Sequence, residues 1–210
     1  MVNLLDIIDE DEIYLYGDTL RPFSCNVKPF IGLSNLVDNN ENLYHDFENK
    51  LPFLDNTVDI YQSEEIFHKK DINTLLNVIN DIYRVLKPGG LFRLSIPDYR
   101  CDILIERSYK NENNETFYDP GGGGNYDYLE EKVIDGGTIW FPKYEKVLEL
   151  LQESNFDNNN INFLHYYNSN DEPILNEVNY RNGYISRTPD NDERVKSPAR
   201  PLSMIIDLYK

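Results

Sequence analysis

A glycine and an acidic residue follow an apolar run near the start of the chain, in the stretch IYLYGDTLRP at 13–22. In many nucleotide-binding folds the first strand ends in this way, and the next loop cradles the cofactor. Those loops carry two or three glycines, because a side chain would push the cofactor away from the backbone. This stretch has only Gly17, so it fits either a cofactor loop that kept one glycine or an ordinary turn after a strand.

Four consecutive glycines, Gly121–Gly124, also suggest a phosphate-binding loop. They follow no predicted strand, open no predicted helix and lack the Lys-Ser/Thr pair of a P-loop. We therefore interpret them as a flexible loop on the substrate side or as a plain linker.

Metal and thiol chemistry are not indicated. The three histidines, His45, His68 and His165, share no ligand spacing with the two cysteines, so the sequence predicts no metal site. Cys25 and Cys101 are more typical of small buried hydrophobic residues than of nucleophiles. Two cysteines cannot form a disulfide framework, which favours a reducing, cytoplasmic location.

Charge limits the classes of partner. The 210 residues carry a net charge of -17, whose mean field repels the phosphates of nucleic acids and anionic membranes. The first twelve residues, MVNLLDIIDEDE, lack the positive region of a signal peptide, and we expect no membrane helix in the chain. We therefore expect neither a nucleic acid nor a membrane as partner. These features say nothing about the oligomeric state.

The elements that must position these residues alternate between strands and helices. Apolar residues at three- and four-residue spacing predict helices over 71–86 and 142–156. Asp71 is suited to cap the first helix, and Pro88 followed by two glycines ends it. Apolar runs predict strands at 12–17, 30–36, 42–47, 58–61, 91–97, 161–167 and 201–210.

This order predicts one three-layer α/β domain over 1–210, with a right-handed parallel crossover from 58–61 to 91–97. The segment 98–137 has the composition of turns and loops, and 168–200 is interpreted as a polar insertion before the last strand. The insertion carries four arginines that either bind an anionic substrate or, more commonly, pair with carboxylates. They are Arg181, Arg187, Arg194 and Arg200.

The central block resembles class I S-adenosylmethionine (SAM)-dependent methyltransferases. The residues LPFLDNTVDIYQSEEIFHKK at 51–70 and INDIYRVLKPGGLFRLSIPD at 79–98 match the family's characteristic block in order and spacing. KYEKVLELLQESNF at 143–156 resembles its late helix. The closing segment 182–210 resembles the C-terminus of a subgroup of predicted methyltransferases.

The resemblance implies a Rossmann-like, seven-stranded, mostly parallel sheet with an antiparallel last strand and helices on both faces. Such sheets bind ligands beyond the carboxyl ends of their strands, here SAM. The implied cofactor contacts follow four strands. They are Tyr16, Gly17 and Asp18 after the first, Ser34 or Asn35 after the second, Asp46 and Phe47 after the third, and Ser63 and Glu64 after the fourth.

Two positions depart from the family pattern. Thr19 stands where the family has its second glycine, and Ser34 or Asn35 stands where a carboxylate holds both ribose hydroxyls. A hydroxyl or an amide bonds the ribose without charge assistance. The Tyr-Arg-Val-Leu-Lys-Pro-Gly-Gly signature reports the fold more than it reports catalysis.

Two functions follow from the resemblance. One is methyl transfer from SAM to a small-molecule or glycan acceptor, with His68 and Asp98 as candidate bases beyond strand ends. For His68 a local structural role is the commoner interpretation, and Asp98 fits a cap or turn as well as it fits a base. The other function is that of an inactive methyltransferase-like interaction or regulatory subunit, favoured by Thr19, Ser34 or Asn35 and Phe67. A different nucleotide-using enzyme on a similar sheet is the third and least favoured alternative.

Overall fold

The computed structural model describes residues 11–20, 23, 28–36 and 39–210. Cys25, for which a buried hydrophobic role was predicted, lies outside the described residues. Within these described residues, the strands in chain order are β1 Tyr14–Tyr16, β2 Ile31–Ser34, β3 Asn42–Tyr44, β4 Val58–Glu64, β5 Leu86–Pro97, β6 Tyr109–Lys110, β7 Thr116–Tyr118, β8 Asn125–Asp127, β9 Lys132–Ile134, β10 Ile161–Tyr167, β11 Pro173–Leu175 and β12 Ser203–Tyr209. The α-helices are α1 Ile72–Val85, α2 Asp102–Arg107 and α3 Tyr144–Gln152.

Eight strands form the central sheet in the order β11-β10-β12-β5-β4-β1-β2-β3. The strands from β5 to β3 pair in parallel, whereas β12 is antiparallel to both β5 and β10. This confirms the predicted α/β class, with a mostly parallel sheet and an antiparallel last strand. Strand β11 adds an eighth, antiparallel strand at the edge beside β10.

Helix α1 forms where the apolar spacing predicted it. The Asp71 side chain accepts a hydrogen bond from the backbone amide of Asn73 at 2.7 Å, which satisfies one of the free donors of the first turn. The chain leaves the helix at Leu86 in an extended conformation, and Gly89 then adopts a positive φ of 78°. The predicted helix end before Pro88 is therefore confirmed.

One face of the sheet is apolar and covered by α1 and α3. Leu75 and Ile79 of α1 and Leu151 of α3 are fully buried in one cluster with Phe92 of β5 and Ile206 of β12. Burying these side chains supplies the main hydrophobic stabilisation of the fold.

The opposite face carries two smaller apolar clusters and several buried polar side chains, and the segment 178–187 covers the polar part. Arg93 on β5 is completely buried and donates to the backbone carbonyls of Asn179 and Gly183, each at 2.9 Å. Ile185 of the same segment is also fully buried. The resemblance implied helices on both faces, but an irregular segment of the predicted polar insertion covers the described part of this face.

The region 98–137 is more regular than its composition suggested. It contains α2 and two short hairpins, β6–β7 and β8–β9, which pack aromatic rings against each other. The rings of Phe117 and Tyr126, one from each hairpin, lie 4.8 Å apart between centroids. In the part of the chain that the structure describes, no helix has the length and apolar character needed to cross a membrane.

Candidate functional site

A cavity of about 280 Å³ opens at the carboxyl ends of β1, β2 and β4. Open parallel sheets bind their ligands at this edge. Five of the residues predicted to contact a cofactor line this cavity together. They are Gly17, Asp18, Ser34, Asn35 and Phe47.

Gly17 has a structural reason to be a glycine. A Cβ atom at this position would lie 2.3 Å from the hydroxyl oxygen of Tyr61, which is buried on β4. The amide of Gly17 donates to the carbonyl of Gln62 at 2.8 Å and continues the β1–β4 pairing. The packing of the Tyr61 ring against the end of β1 therefore favours glycine here, in addition to any cofactor.

The two departures from the family pattern contact each other. The hydroxyls of Thr19 and Ser34 form a hydrogen bond at 2.8 Å, and Ser34 also accepts from the amide of Leu36 at 3.1 Å. The Asp18 carboxylate accepts from the Thr19 amide at 2.6 Å, which fixes the loop after β1. Ser34, which was expected to contact a ribose, is thus already hydrogen-bonded to Thr19, which stands where the family has a glycine.

Asp46 and Phe47 occupy different surroundings. The Phe47 ring lines the cavity, packs edge-on against Phe67 at 5.2 Å and has the Lys70 ammonium 5.7 Å from its centroid. Asp46 is half-buried, is not part of the cavity wall and accepts from the Glu48 amide at 3.3 Å. Phe47 is therefore placed to pack on a flat ligand, whereas Asp46 shapes the turn beside it.

Tyr16, Ser63 and Glu64 lie behind the cavity rather than in its wall. All three are buried, and the Glu64 carboxylate accepts from the Tyr16 hydroxyl at 3.4 Å and from the Ser186 amide at 2.8 Å. The Ser63 hydroxyl has no hydrogen-bond partner among the described residues. Glu64 thus attaches the segment 178–187 to the sheet.

The two candidate bases do not line the cavity. His68 is 3 % exposed, and burial holds the pKa of its imidazole well below the ordinary value, so the ring is neutral at pH 7. Asp98 is fully buried and accepts from the backbone amides of Tyr167 at 2.8 Å and Arg100 at 3.1 Å. Burial raises the pKa of Asp98 to about 6. One oxygen of Asp98 therefore fixes the turn at Arg100, and the other joins this turn to β10 at Tyr167.

Sequence reasoning missed four ionisable residues in the cavity wall. They are His45, Glu65, Lys69 and Lys70. Glu65 has a left-handed backbone with φ of 64°, a conformation that non-glycine residues rarely adopt and that clusters at functional sites. Its carboxylate accepts from the Ser203 hydroxyl at 2.8 Å and pairs with Arg187. The feature of the sequence that could have identified Glu65 as a site residue is its position directly after β4.

His45 is 8 % exposed, and its Nε2 atom has no hydrogen-bond partner among the described residues. Burial lowers the pKa of His45, so it presents a neutral ring beside Phe47. Within the described ranges, no group of three His, Cys, Asp or Glu side chains is arranged to hold a metal ion.

Comparison with known proteins gives consistent results. Residues 32–94 match the model of a family described as "Methyltransferase domain". A ubiquinone/menaquinone biosynthesis C-methyltransferase from Ruegeria sp. (strain TM1040) is 28% identical over 122 residues, which cover 51% of this chain and 42% of that protein. This chain therefore matches less than half the length of that curated relative.

Two solved structures resemble the fold. A SAM-dependent methyltransferase from Archaeoglobus fulgidus aligns with a TM-score of 0.53 at 12% identity, covering 98% of this chain and 89% of that one. A possible histamine N-methyltransferase from Thermotoga maritima aligns with a TM-score of 0.44 at 16% identity, covering 80% and 63%. Together with the strand order, the Archaeoglobus fulgidus structure shows that this chain has the fold of SAM-dependent methyltransferases, and its residues 32–94 match a methyltransferase domain model.

Proposed function

We propose that this protein transfers a methyl group from SAM, bound in the cavity beyond β1, β2 and β4, to a small-molecule or glycan acceptor. The observation that carries the proposal is the convergence of Gly17, Asp18, Ser34, Asn35 and Phe47 on one cavity at the ligand-binding edge of the sheet. These residues come from three separate strand ends and meet only in the folded chain.

The reaction is a single displacement. The acceptor nucleophile forms a bond to the methyl carbon while the carbon–sulfur bond breaks, and the sulfur keeps the electron pair as S-adenosylhomocysteine. The protein contributes by positioning the two reactants and excluding water. The Glu65 carboxylate in the wall favours a sulfonium cation through its negative charge, although Arg187 offsets part of it.

Proton transfer is assigned to neither His68 nor Asp98, because neither side chain lines the cavity. The proposal therefore favours an acceptor atom that reacts without a base held by these two residues. A deprotonated oxygen, a thiolate or a neutral amine meets this condition.

Calorimetric titration of S-adenosylhomocysteine tests cofactor binding directly. We expect saturable binding and a raised thermal unfolding midpoint, because a ligand that binds only the folded state stabilises it. Absence of both heat and a thermal shift at millimolar ligand would refute the methyltransferase proposal.

A second candidate function is favoured by one observation, the 2.8 Å bond between the hydroxyls of Thr19 and Ser34. This bond ties up the position that would hold the ribose, and the cavity volume of about 280 Å³ lies at the lower limit of small-molecule sites. In this alternative the chain is a non-catalytic methyltransferase-like subunit that binds another protein.

A variant pair separates the two functions. The double variant Thr19→Gly/Ser34→Asp removes the bond and introduces the carboxylate of the family pattern. We expect it to tighten S-adenosylhomocysteine binding by about tenfold, the effect of one charge-assisted hydrogen bond. The matched control is Thr19→Gly/Ser34→Asn, which has nearly the same shape without the charge. Equal affinities for the two variants would show that no ribose is bound at this position.

A further inference from the structure

A second concave site lies beside the candidate cofactor cavity. It is a groove of about 660 Å³ between α2, the β6–β7 hairpin and the start of α3. Tyr99, Trp140 and Phe141 supply an aromatic wall, and the rings of Tyr99 and Phe141 pack edge-on at 4.9 Å. Trp140 is 7 % exposed, and its indole N–H donates to the Phe67 carbonyl at 3.0 Å, so the wall is held rigidly.

The rim of the groove is positively charged in a strongly acidic protein. Lys110, Lys143 and Lys146 all line it, and within the described residues no carboxylate lies within ion-pairing distance of any of them. The carboxylate in the groove wall, Glu115, accepts from the Asn111 side-chain amide at 3.0 Å. Three lysines against one carboxylate leave a net positive charge here, whereas the whole chain carries -17.

The combination of positive charge and aromatic surface indicates which kind of ligand would fit the groove. The Lys146 ammonium lies 5.7 Å from the centroid of the Trp140 ring, so a cation and an apolar wall are adjacent. A molecule with an apolar body and an anionic head would bury the body against the aromatic wall and pair the head with the lysines.

One turn of chain links the wall of the groove to the wall of the cofactor cavity. The turn that carries Phe67 and His68 accepts hydrogen bonds from Trp140 and from the Ile139 amide, both at 3.0 Å, on the groove side. The following residues, Lys69 and Lys70, line the cofactor cavity. A ligand in the groove is therefore separated from the cofactor cavity by a single turn of chain.

We propose that this groove binds a small amphipathic anion, with an aromatic or aliphatic body against Trp140 and a carboxylate or phosphate head at Lys143 and Lys146. Its role as the methyl-acceptor site rests on the proposed function, whereas the binding itself does not. This makes the acceptor class an organic acid or a phosphorylated apolar compound.

Trp140 is the single tryptophan of the chain, so its fluorescence reports on the groove directly. The probes are 4-phenylbutyrate, 4-phenylbutan-1-ol and 4-phenylbutylamine, which share one body and differ in head-group charge. We expect 4-phenylbutyrate to change the Trp140 emission saturably and to bind at least tenfold more tightly than the amine. We also expect its affinity to fall as salt is raised, because exposed charges are screened.

The variant Lys143→Gln/Lys146→Gln should weaken 4-phenylbutyrate binding by about tenfold. The matched control, Lys50→Gln/Lys132→Gln, removes the same charge from exposed positions outside the groove wall and should leave binding unchanged. Absence of an emission change, equal binding of the three probes or an equal loss in both double variants would overturn the proposal.

The outcome is independent of the cofactor. If S-adenosylhomocysteine fails to bind while 4-phenylbutyrate binds in a manner dependent on Lys143 and Lys146, the methyltransferase proposal fails and the groove proposal stands. If S-adenosylhomocysteine binds and the probe does not, the reverse holds.

Discussion

Both faces of the central sheet bury apolar side chains, but only one of them also buries a network of charged side chains. One face buries aliphatic and aromatic side chains beneath α1 and α3, whereas the other buries Arg93, Asp207 and Glu64 beneath an irregular segment. On the apolar face stability comes from removing surface from water, which needs no particular pairing of atoms. On the polar face each buried charge must find its partner, so the covering segment is fixed by specific hydrogen bonds.

The polar face should respond most strongly to removal of one charge. Arg93→Met leaves the Asp207 carboxylate buried without its two guanidinium bonds, each 2.7 Å long. We expect a loss of about 3 to 5 kcal/mol in the free energy of unfolding, measured by urea denaturation. The double variant Arg93→Met/Asp207→Leu should recover most of this loss.

A surface pair provides the control for that experiment. Arg194 pairs with Asp192 at 2.6 Å but is 51% exposed, so Arg194→Met should cost no more than about 1 kcal/mol. A similar loss in Arg93→Met and Arg194→Met would show that the charge network does not hold the polar face together.

The apolar face should lose stability in proportion to the volume removed. Ile79→Ala deletes buried methyl groups between α1 and the sheet and should cost about 3 kcal/mol, within the usual range for such cavities. Ile79→Val should cost about 1 kcal/mol in the same urea experiment. Equal losses of unfolding free energy in Ile79→Ala and Ile79→Val would mean that this face is loosely packed.

Asp98 is a buried carboxyl group that, unlike Asp207, accepts hydrogen bonds from backbone amides. Its pKa is raised to about 6, so the folded state binds more protons than the unfolded state between about pH 4 and pH 6. The contribution of Asp98 to stability is therefore fully present below pH 4 and is lost as the pH rises through 6. About two pKa units correspond to roughly 3 kcal/mol at most.

Asp98→Asn should remove this dependence. The difference in unfolding free energy between the natural protein and the variant is expected to change across pH 4 to 6 and to be constant above pH 7. A difference that is constant over the whole range would mean that Asp98 titrates at its ordinary pKa.

A smaller effect than that of Arg93→Met is expected where the apolar face reaches the cavity. Gly17→Ala brings a methyl group against Tyr61 and should cost about 1 to 3 kcal/mol, the usual range for overpacking. Tyr61→Phe removes the oxygen but leaves a ring carbon 2.9 Å from the new Cβ, so the double variant should recover part of the loss. Recovery of stability without recovery of S-adenosylhomocysteine binding would separate the structural role of Gly17 from its cofactor role.

Local patterns predicted the apolar face well. The spacing of Leu75 and Ile79, the cap at Asp71 and the break at Pro88 each depend on neighbours along the chain, and α1 has the predicted position. The strand ends that surround the cavity were predicted in the same way, through the central block at 51–98 and the runs before Gly17 and Ser34.

For the polar segments, composition did not predict the structure that forms. The range 168–200 has the residues of an exposed loop, yet Val178, Ile185 and Val195 are buried. The contacts that bury it join residues far apart in sequence, such as Glu64 with Ser186, and no local periodicity reports them. Strands of two or three residues in the β6–β7 and β8–β9 hairpins are likewise too short to show an alternating pattern.

The sequence by itself determined the order of the longer strands and of α1 and α3, the apolar face and the family resemblance, because these depend on spacing and on a contiguous block. Only the tertiary structure decided which polar residues meet. It joined Thr19 to Ser34, placed Glu65 and Lys69 in the cavity and assembled three lysines around Trp140. Such sites form from strand ends and loops that are distant in the chain, so their chemistry is defined only when the chain folds.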